Sequence, residues 1–149
     1  MKSVKLQAGM FVVLGICCSA NAHGDEPKAE LATLEGTYSL VRGEEGGKPL
    51  SEQLIKTSKL TITGIRHVVI LGEEMPIVGT HTINPFEKPK SIDAKDTAGR
   101  YAGKTVKGIY KLDSDEFTVS FAPPGEARPQ EFGTQNRPGR TLHVWKKAK

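Results

Sequence analysis

Short runs of alternating apolar and polar residues recur from Leu34 onward, and glycine, proline or acidic residues separate them. This two-residue period is typical of half-buried β-strands and differs from the 3.6-residue period of an amphipathic helix. The runs predict eight strands, at residues 34–42, 59–63, 66–71, 77–84, 91–95, 105–113, 116–122 and 141–147. A short helix is predicted over residues 49–55, because Pro49 suits the first helical position. The chain is therefore expected to be all-β.

The links between most of these runs are short, so strands that are neighbours in sequence should pair as an antiparallel meander. A meander of eight strands is expected to close into an up-and-down barrel, since closure removes exposed edges. Two longer segments interrupt it, at residues 96–104 and 123–140, and the second contains four prolines. Because proline cannot donate to a β-ladder, that segment is expected to run over the surface. Inward faces are predicted for two sets of side chains: Val106, Tyr110 and Leu112, and Phe117, Val119 and Phe121.

The N-terminus carries Lys2 and Lys5, then an apolar run over residues 8–18, then Ala20-Asn21-Ala22. These are the three parts of a secretory signal peptide, and we expect cleavage after Ala22. The apolar run is shorter than the roughly 20 residues that a membrane span requires. The protein is thus expected to be periplasmic or secreted, with lipoprotein anchoring at Cys17 as the alternative. Residues 23–33 are expected to form a flexible polar tether with one helical turn near Glu30 at most.

Charge and cysteine content narrow the function classes. Cys17 and Cys18 both fall in the signal peptide, so the exported chain is expected to fold without disulfides. The formal charge of +4 includes Lys2 and Lys5, so removal of the signal leaves 4 − 2 = +2, with both signs scattered. Nucleic-acid binding needs a concentrated basic face, and none is evident. We expect a monomer with no cofactor, no nucleic-acid partner and no integral membrane segment after cleavage.

Five motifs in order suggest a family. They are Leu34-Glu35-Gly36-Thr37-Tyr38, Gly47-Lys48-Pro49-Leu50, Pro89-Lys90-Ser91-Ile92-Asp93, Gly108-Ile109-Tyr110-Lys111-Leu112-Asp113, and Phe121-Ala122-Pro123-Pro124-Gly125 with Arg128-Pro129-Gln130-Glu131-Phe132. Over residues 34–146 the chain resembles a lipocalin-like secreted domain family, without an assigned activity, that is expanded in planctomycete bacteria.

The resemblance implies an eight-stranded lipocalin-like barrel in the cell envelope and implies no activity. Members usually have tryptophan in the first motif, where this chain has Tyr38. A buried tyrosine needs a partner for its hydroxyl. The resemblance also implies a basic residue of the last strand against this aromatic ring, with Lys146 or Arg140 as the candidates.

Two binding hypotheses follow from the predicted barrel. In the first, the interior binds a small apolar molecule, with Tyr38, His81, Tyr110, Phe117 and Phe121 as the ligand-binding candidates. In the second, side chains fill the barrel, as they can in eight-stranded barrels. The domain is then a protein-protein interaction module of the envelope that acts through loops 96–104 and 123–140. Its partner-contacting candidates are Pro123, Pro124, Arg128 and Phe132. The favoured alternative for this segment is that Arg128 pairs with a nearby carboxylate and Phe132 anchors the segment to the barrel.

Catalytic and metal chemistry have weaker support. His23, His67, His81 and His143 lack the sequence spacing of metal ligands, although separate strands can bring three histidines together as a zinc site. His81 alternates with Ile77 and Ile83, which favours a buried histidine bonded to a neighbour. The exported chain has neither a cysteine nor a Gly-x-Ser-x-Gly nucleophile motif. We therefore predict no catalytic and no metal-binding residue, and we do not expect an enzyme.

Overall fold

The structure, a computed structural model, describes residues 25–149. Its elements in chain order are α1 (Glu26–Leu34), β1 (Gly36–Glu45), β2 (Lys48–Pro49), α2 (Glu52–Thr57), β3 (Lys59–Thr63), β4 (Arg66–Ile70), β5 (Ile77–Asn84), β6 (Lys90–Ala98), β7 (Thr105–Asp113), β8 (Glu116–Phe121) and β9 (Thr141–Lys147). The predicted all-β class is confirmed. The signal peptide over residues 1–22, with the alternative anchor Cys17, lies outside the described residues.

A closed barrel of eight antiparallel strands forms the body, as predicted. Strand β1 pairs with β3, the strands β3 to β9 pair in sequence order, and β9 pairs with β1. The closing register runs from Tyr38 opposite Lys147 to Glu45 opposite Thr141, with a bulge between Leu40 and Arg42. The two-residue strand β2 is an addition on β1.

The inward faces agree with the alternation in the sequence. Val106, Tyr110, Phe117 and Val119 are each no more than 5% exposed. Leu112 and Phe121 are partly buried against the same core. Because side chains alternate between the two faces of a strand, burial of these residues places them on the faces that line the barrel interior.

Helix α1 covers one end of the barrel, which we call the floor. A tether was expected here, and that expectation is wrong for residues 26–33, which are helical. Leu34 is the buried residue of the helix, and Glu30 accepts hydrogen bonds from Lys90 Nζ at 2.8 Å and Tyr110 Oη at 2.7 Å. Helix α1 is therefore bound to the barrel mainly by polar contacts and buries little apolar surface. For this reason its sequence lacks the regular spacing of apolar residues that marks an amphipathic helix.

Tyr38 is fully buried at the floor. Its hydroxyl donates to the Leu34 carbonyl at 2.6 Å, and burial raises its pKa to about 12. The basic residue beside the ring is Lys147, with Nζ 5.5 Å from the ring centroid, so the expectation of Lys146 or Arg140 is wrong. Lys147 on β9 lies opposite Tyr38 on β1. The Lys146 side chain is exposed instead, and its Nζ lies 3.9 Å from Asp115 Oδ2.

Of the two segments expected to interrupt the meander, residues 96–104 lie partly in a strand and residues 123–140 do not. Strand β6 continues to Ala98, so Asp96 is in a strand and not in a surface loop, and the remaining turn spans residues 99–104. The segment over residues 123–140 contains no strand and runs over the outside of the barrel, as predicted. Pro129 and Thr134 anchor this segment, because both are fully buried.

Helix α2 begins three residues later than predicted. Ser51 is its N-cap and accepts a hydrogen bond from the Leu54 backbone at 3.2 Å. Pro49 instead lies in β2, paired with Glu44. Together α2 and the turn at residues 99–104 border the end of the barrel opposite the floor, which we call the mouth.

Candidate functional site

The mouth half of the barrel contains a cavity of about 160 Å³ that is partly open to solvent. Its walls are mainly apolar side chains from the inward faces of the strands, from α2 and from the connections next to them. These are Leu50, Leu54, Leu60, Ile62, Val69, Leu71, Ile77, Ile92, Ala94, Val106, Phe117, Val119, Phe121 and Trp145. The floor half is filled by contrast, with Tyr38 and Tyr110 each about 6 Å from the Phe117 ring centroid.

Three buried polar side chains form a connected row in the cavity wall. His67 Nε2 lies 3.0 Å from Asp96 Oδ1, and His67 Nδ1 lies 3.2 Å from His81 Nδ1. Exposure is 8% for His67, 3% for His81 and 5% for Asp96. We call this row the His-His-Asp relay.

Local backbone structure brings the relay together. His67 on β4 and Asp96 on β6 are both paired with Gly79 on β5, the strand between them. A β-carbon at Gly79 would lie 2.9 Å from Asp96 Oδ1, closer than such atoms approach in proteins. The Lys95 carbonyl oxygen would lie closer still, so glycine at this position allows both the close approach of the β6 backbone and the contact of the Asp96 carboxylate with His67.

His81 is the end of the relay, and its environment keeps it neutral. Burial is the main cause that lowers the pKa of His81 to about 4, and the charge of the neighbouring His67 adds to it. A hydrogen bond to the Gly64 backbone acts in the opposite direction. Among residues 25–149, His81 Nε2 is a buried atom without a hydrogen-bonding partner. An unsatisfied buried polar atom is uncommon and calls for a ligand, a water or a functional explanation.

Charged groups border the cavity at the mouth. Arg100 Nη1 and Glu45 Oε1 form an ion pair at 2.7 Å, which joins the end of β1 to the turn after β6. The same hydrogen bond raises the pKa of Arg100. The Arg100 guanidinium also lies 5.4 Å from the Tyr101 ring centroid.

His143 of β9 lines the same cavity and lies edge-on to Trp145, with ring centroids 5.7 Å apart. Part of the ring borders the open cavity, yet protein surrounds the rest, and burial lowers the pKa of His143 to about 4 against the opposing charge of Glu45. His143 is therefore uncharged at neutral pH.

The structure divides the five ligand-binding candidates. His81, Phe117 and Phe121 line the cavity. Tyr38 and Tyr110 are buried but lie in the floor half, where each hydroxyl is bonded to a residue of α1. Burial and the Glu30 carboxylate both raise the pKa of Tyr110. These two tyrosines therefore help to bind α1 to the floor of the barrel and do not line the cavity.

The partner-contacting candidates lie on the outside of the barrel. Pro123, Pro124 and Phe132 are partly buried, and Lys111 Nζ lies 5.5 Å from the Phe132 ring centroid. Arg128 Nη1 donates to Asp93 Oδ1 at 2.6 Å and to the carbonyls of Gly108 and Ile92 at 2.9 and 3.2 Å. The alternative in which Arg128 pairs with a nearby carboxylate is the arrangement observed.

Sequence reasoning missed most of the polar side chains in the cavity. His67 alternates with Val69 on β4, which was a usable signal, whereas Asp96 was assigned to a loop. Arg100 and Glu45 meet across the mouth from positions 55 residues apart, and no local pattern marks them. Within residues 25–149 no group of three or more His, Cys, Asp or Glu side chains is arranged to hold a metal ion, and His23 lies outside that range.

Comparisons with known proteins add no relative: no family model, curated protein or solved structure matches the chain. In the part of the chain that the structure describes, neither helix is long and apolar enough to cross a membrane.

Proposed function

We propose that this protein is a non-catalytic binding protein that takes one small, largely apolar molecule into the cavity at the mouth of its barrel. The observation that carries the proposal is an apolar-walled space of about 160 Å³, open at one end and sealed at the other by α1 and the buried Tyr38. A side-chain-filled barrel would leave no such space.

The size of the cavity sets the size of the ligand. An apolar cavity of about 150 Å³ lined by Leu, Ile and Phe side chains is known to bind benzene. The ligand proposed here is therefore about one ring or a short branched chain in size. Burial of roughly 200 Å² of apolar ligand surface at about 25 cal/mol per Å² is worth about 5 kcal/mol, which corresponds to a Kd on the order of 0.1 mM.

We also propose that the protein acts after export, in the periplasm or outside the cell. The signal-like pattern over residues 1–22 supports export. The resemblance to a lipocalin-like secreted family is in keeping with the eight-stranded barrel. The interaction-module alternative has less support, because Arg128, its main candidate, is engaged in three contacts with the barrel.

Two adjacent valines on β4 provide a matched test. Val69 lines the cavity, and Val68 points to the outside and is 36% exposed. Val69→Phe places extra volume in the cavity, whereas Val68→Phe makes the same change on the outer face of the same strand. Native mass spectrometry of the gently purified protein would first reveal any molecule that it already carries.

Titration with indole or toluene, followed by NMR, would then compare the two variants with the original protein. We expect Val69→Phe to weaken binding at least tenfold and Val68→Phe to leave it unchanged. Absence of binding in the original protein, or equal binding in both variants, would contradict the proposal. Circular dichroism would establish that both variants are folded.

A further inference from the structure

The position of His143 in the cavity wall indicates which polar group the ligand carries. This inference rests on the proposed function, because it concerns the same cavity. His143 lies on β9 between Thr141 and Trp145, and all three line the cavity. Side chains two residues apart on a strand share one face. The part of the His143 ring that the protein leaves uncovered therefore faces the cavity.

The ring nitrogens of His143 are accessible and have no partner in the protein. Within residues 25–149 no other group forms a hydrogen bond with this ring. The side-chain atom in that range that is both closed off from solvent and unpartnered is His81 Nε2, and no nitrogen of His143 is of this kind. The His143 nitrogens therefore keep accessible surface, and on an inward-facing ring that surface lies in the cavity.

The other histidines and the acidic side chain of the relay interact with one another. His67 contacts Asp96 through Nε2 and His81 through Nδ1. His81 is also hydrogen-bonded to the Gly64 backbone. The relay thus satisfies its own hydrogen-bonding groups, which distinguishes it from His143.

The charged groups at the mouth are paired or face the solvent. Glu45 and Arg100 form an ion pair, and the Arg100 side chain is 55% exposed, so water competes for its remaining donors. Glu74 lies on the exposed connection between β4 and β5. A charged ligand would also have to lose its hydration among mainly apolar walls, which is unfavourable.

A hydroxyl is the group that suits His143. Burial lowers the pKa of His143 to about 4, so the ring is neutral at pH 7.5. A neutral imidazole has one donor nitrogen and one acceptor nitrogen, and a hydroxyl both donates and accepts. A hydroxyl can therefore form a hydrogen bond with either tautomer of the ring.

We infer that the ligand is a neutral alcohol or phenol with an apolar body of about one ring, and that its hydroxyl forms a hydrogen bond with the His143 ring. The apolar body then contacts the apolar walls. A wholly apolar ligand that fills the cavity would leave the His143 nitrogens without a partner. An unmade hydrogen bond of a buried group weakens binding by about tenfold.

p-Cresol and p-xylene test the inference by isothermal titration calorimetry at pH 7.5. The two molecules have nearly the same shape, and p-cresol has a hydroxyl where p-xylene has a methyl group. The quantity to compare is the Kd of p-xylene divided by the Kd of p-cresol, which we call the hydroxyl preference. We expect His143→Leu, whose side chain forms no hydrogen bond, to lower the hydroxyl preference about tenfold. The matched variant His143→Gln retains a donor and an acceptor and should lower it less than about threefold.

The outcomes separate this inference from the proposed function. If His143→Leu binds both molecules with an unchanged hydroxyl preference, the inference is overturned and the proposed function stands. Equal losses in His143→Leu and His143→Gln would mean that the variants act through the shape of the cavity, which would also overturn the inference. Binding of neither molecule to the original protein would count against the proposed function itself.

Two further variants separate His143 from the other hydroxyl-bearing side chains of the wall. Thr141→Val and Tyr101→Phe each remove one hydroxyl with little change of shape, and both should retain the hydroxyl preference. If either variant lowers the preference while His143→Leu does not, the ligand contacts that residue instead and the inference fails.

Nitrogen-15 NMR provides a test in the original protein, so the inference can be tested even if a variant does not fold. The resonance of one His143 ring nitrogen should differ between the p-cresol and p-xylene complexes by more than the resonances of the His81 ring do. Equal His143 resonances in the two complexes would refute the inference.

Discussion

Acidification should destabilise this protein through His143, and the size of the effect can be worked from its environment. Burial in the barrel wall lowers the pKa of His143 from 6.5 to about 4. Above pH 6.5 the ring is neutral in both the folded and the unfolded chain, so it does not alter the free energy of unfolding. As the pH falls below 6.5 the unfolded chain takes up a proton first, and stability is lost until the folded pKa is reached.

The expected loss follows from about 1.36 kcal/mol for each unit by which the two pKa values differ. The two values differ by about 2.5, so the full loss is about 3 kcal/mol, and most of it is present at pH 4.5. Urea denaturation at pH 7.5 and pH 4.5 would measure the change in the original protein and in His143→Phe, which keeps a ring beside Trp145 but cannot be protonated.

We expect the variant to lose about 2 to 3 kcal/mol less than the original protein between the two pH values. All other side chains are the same in both proteins, so their contributions cancel in this comparison. Equal losses, within about 0.5 kcal/mol, would refute the argument that the folded barrel keeps His143 uncharged.

Two further predictions concern the floor and the outer segment. Tyr38→Phe removes the donor to the Leu34 carbonyl and should lower the free energy of unfolding by about 1 to 2 kcal/mol in urea denaturation, whereas the control Tyr101→Phe at the mouth should change it little. If Tyr38→Phe leaves the free energy of unfolding unchanged, this hydrogen bond does not stabilise the floor. Arg128→Met removes hydrogen bonds to Asp93 and to two backbone carbonyls and should lower the free energy of unfolding by about 2 kcal/mol or more. The control Arg137→Met, at an exposed arginine, should leave it unchanged, and an unchanged Tm of Arg128→Met would instead favour a role of Arg128 in partner binding.

The alternation of apolar and polar residues was sufficient to predict the barrel, because it marks strands with one face in the core and one face outward. Strand β3 illustrates this, since Leu60 and Ile62 are buried and the residues on either side of each are exposed. Helix α1 was not predicted. Its Glu30 side chain is hydrogen-bonded to Lys90 and Tyr110, which are 60 and 80 residues away in the sequence. Sequence periodicity reports burial of apolar side chains and carries no signal for such polar contacts.

The candidate site was predictable only in part, for a related reason. His81 could be assigned to the interior because it alternates with isoleucines. Asp96 could not, because the polar end of β6 and the bulge opposite Val78 and Gly79 resemble a loop in sequence. The relay depends on the register of three strands, and register is a property of pairing that one strand alone does not determine.

Strand β9 begins with Thr141 at the mouth and ends with Lys147 beside the floor, so Lys149, two residues further on, follows the end of the strand that lies away from the cavity. A linker or surface attachment fused there would leave the mouth facing the surrounding solution. The proposed binding cavity and such an attachment point thus lie on opposite sides of the domain, which is the arrangement that a sensor immobilised on an electrode or a bead requires.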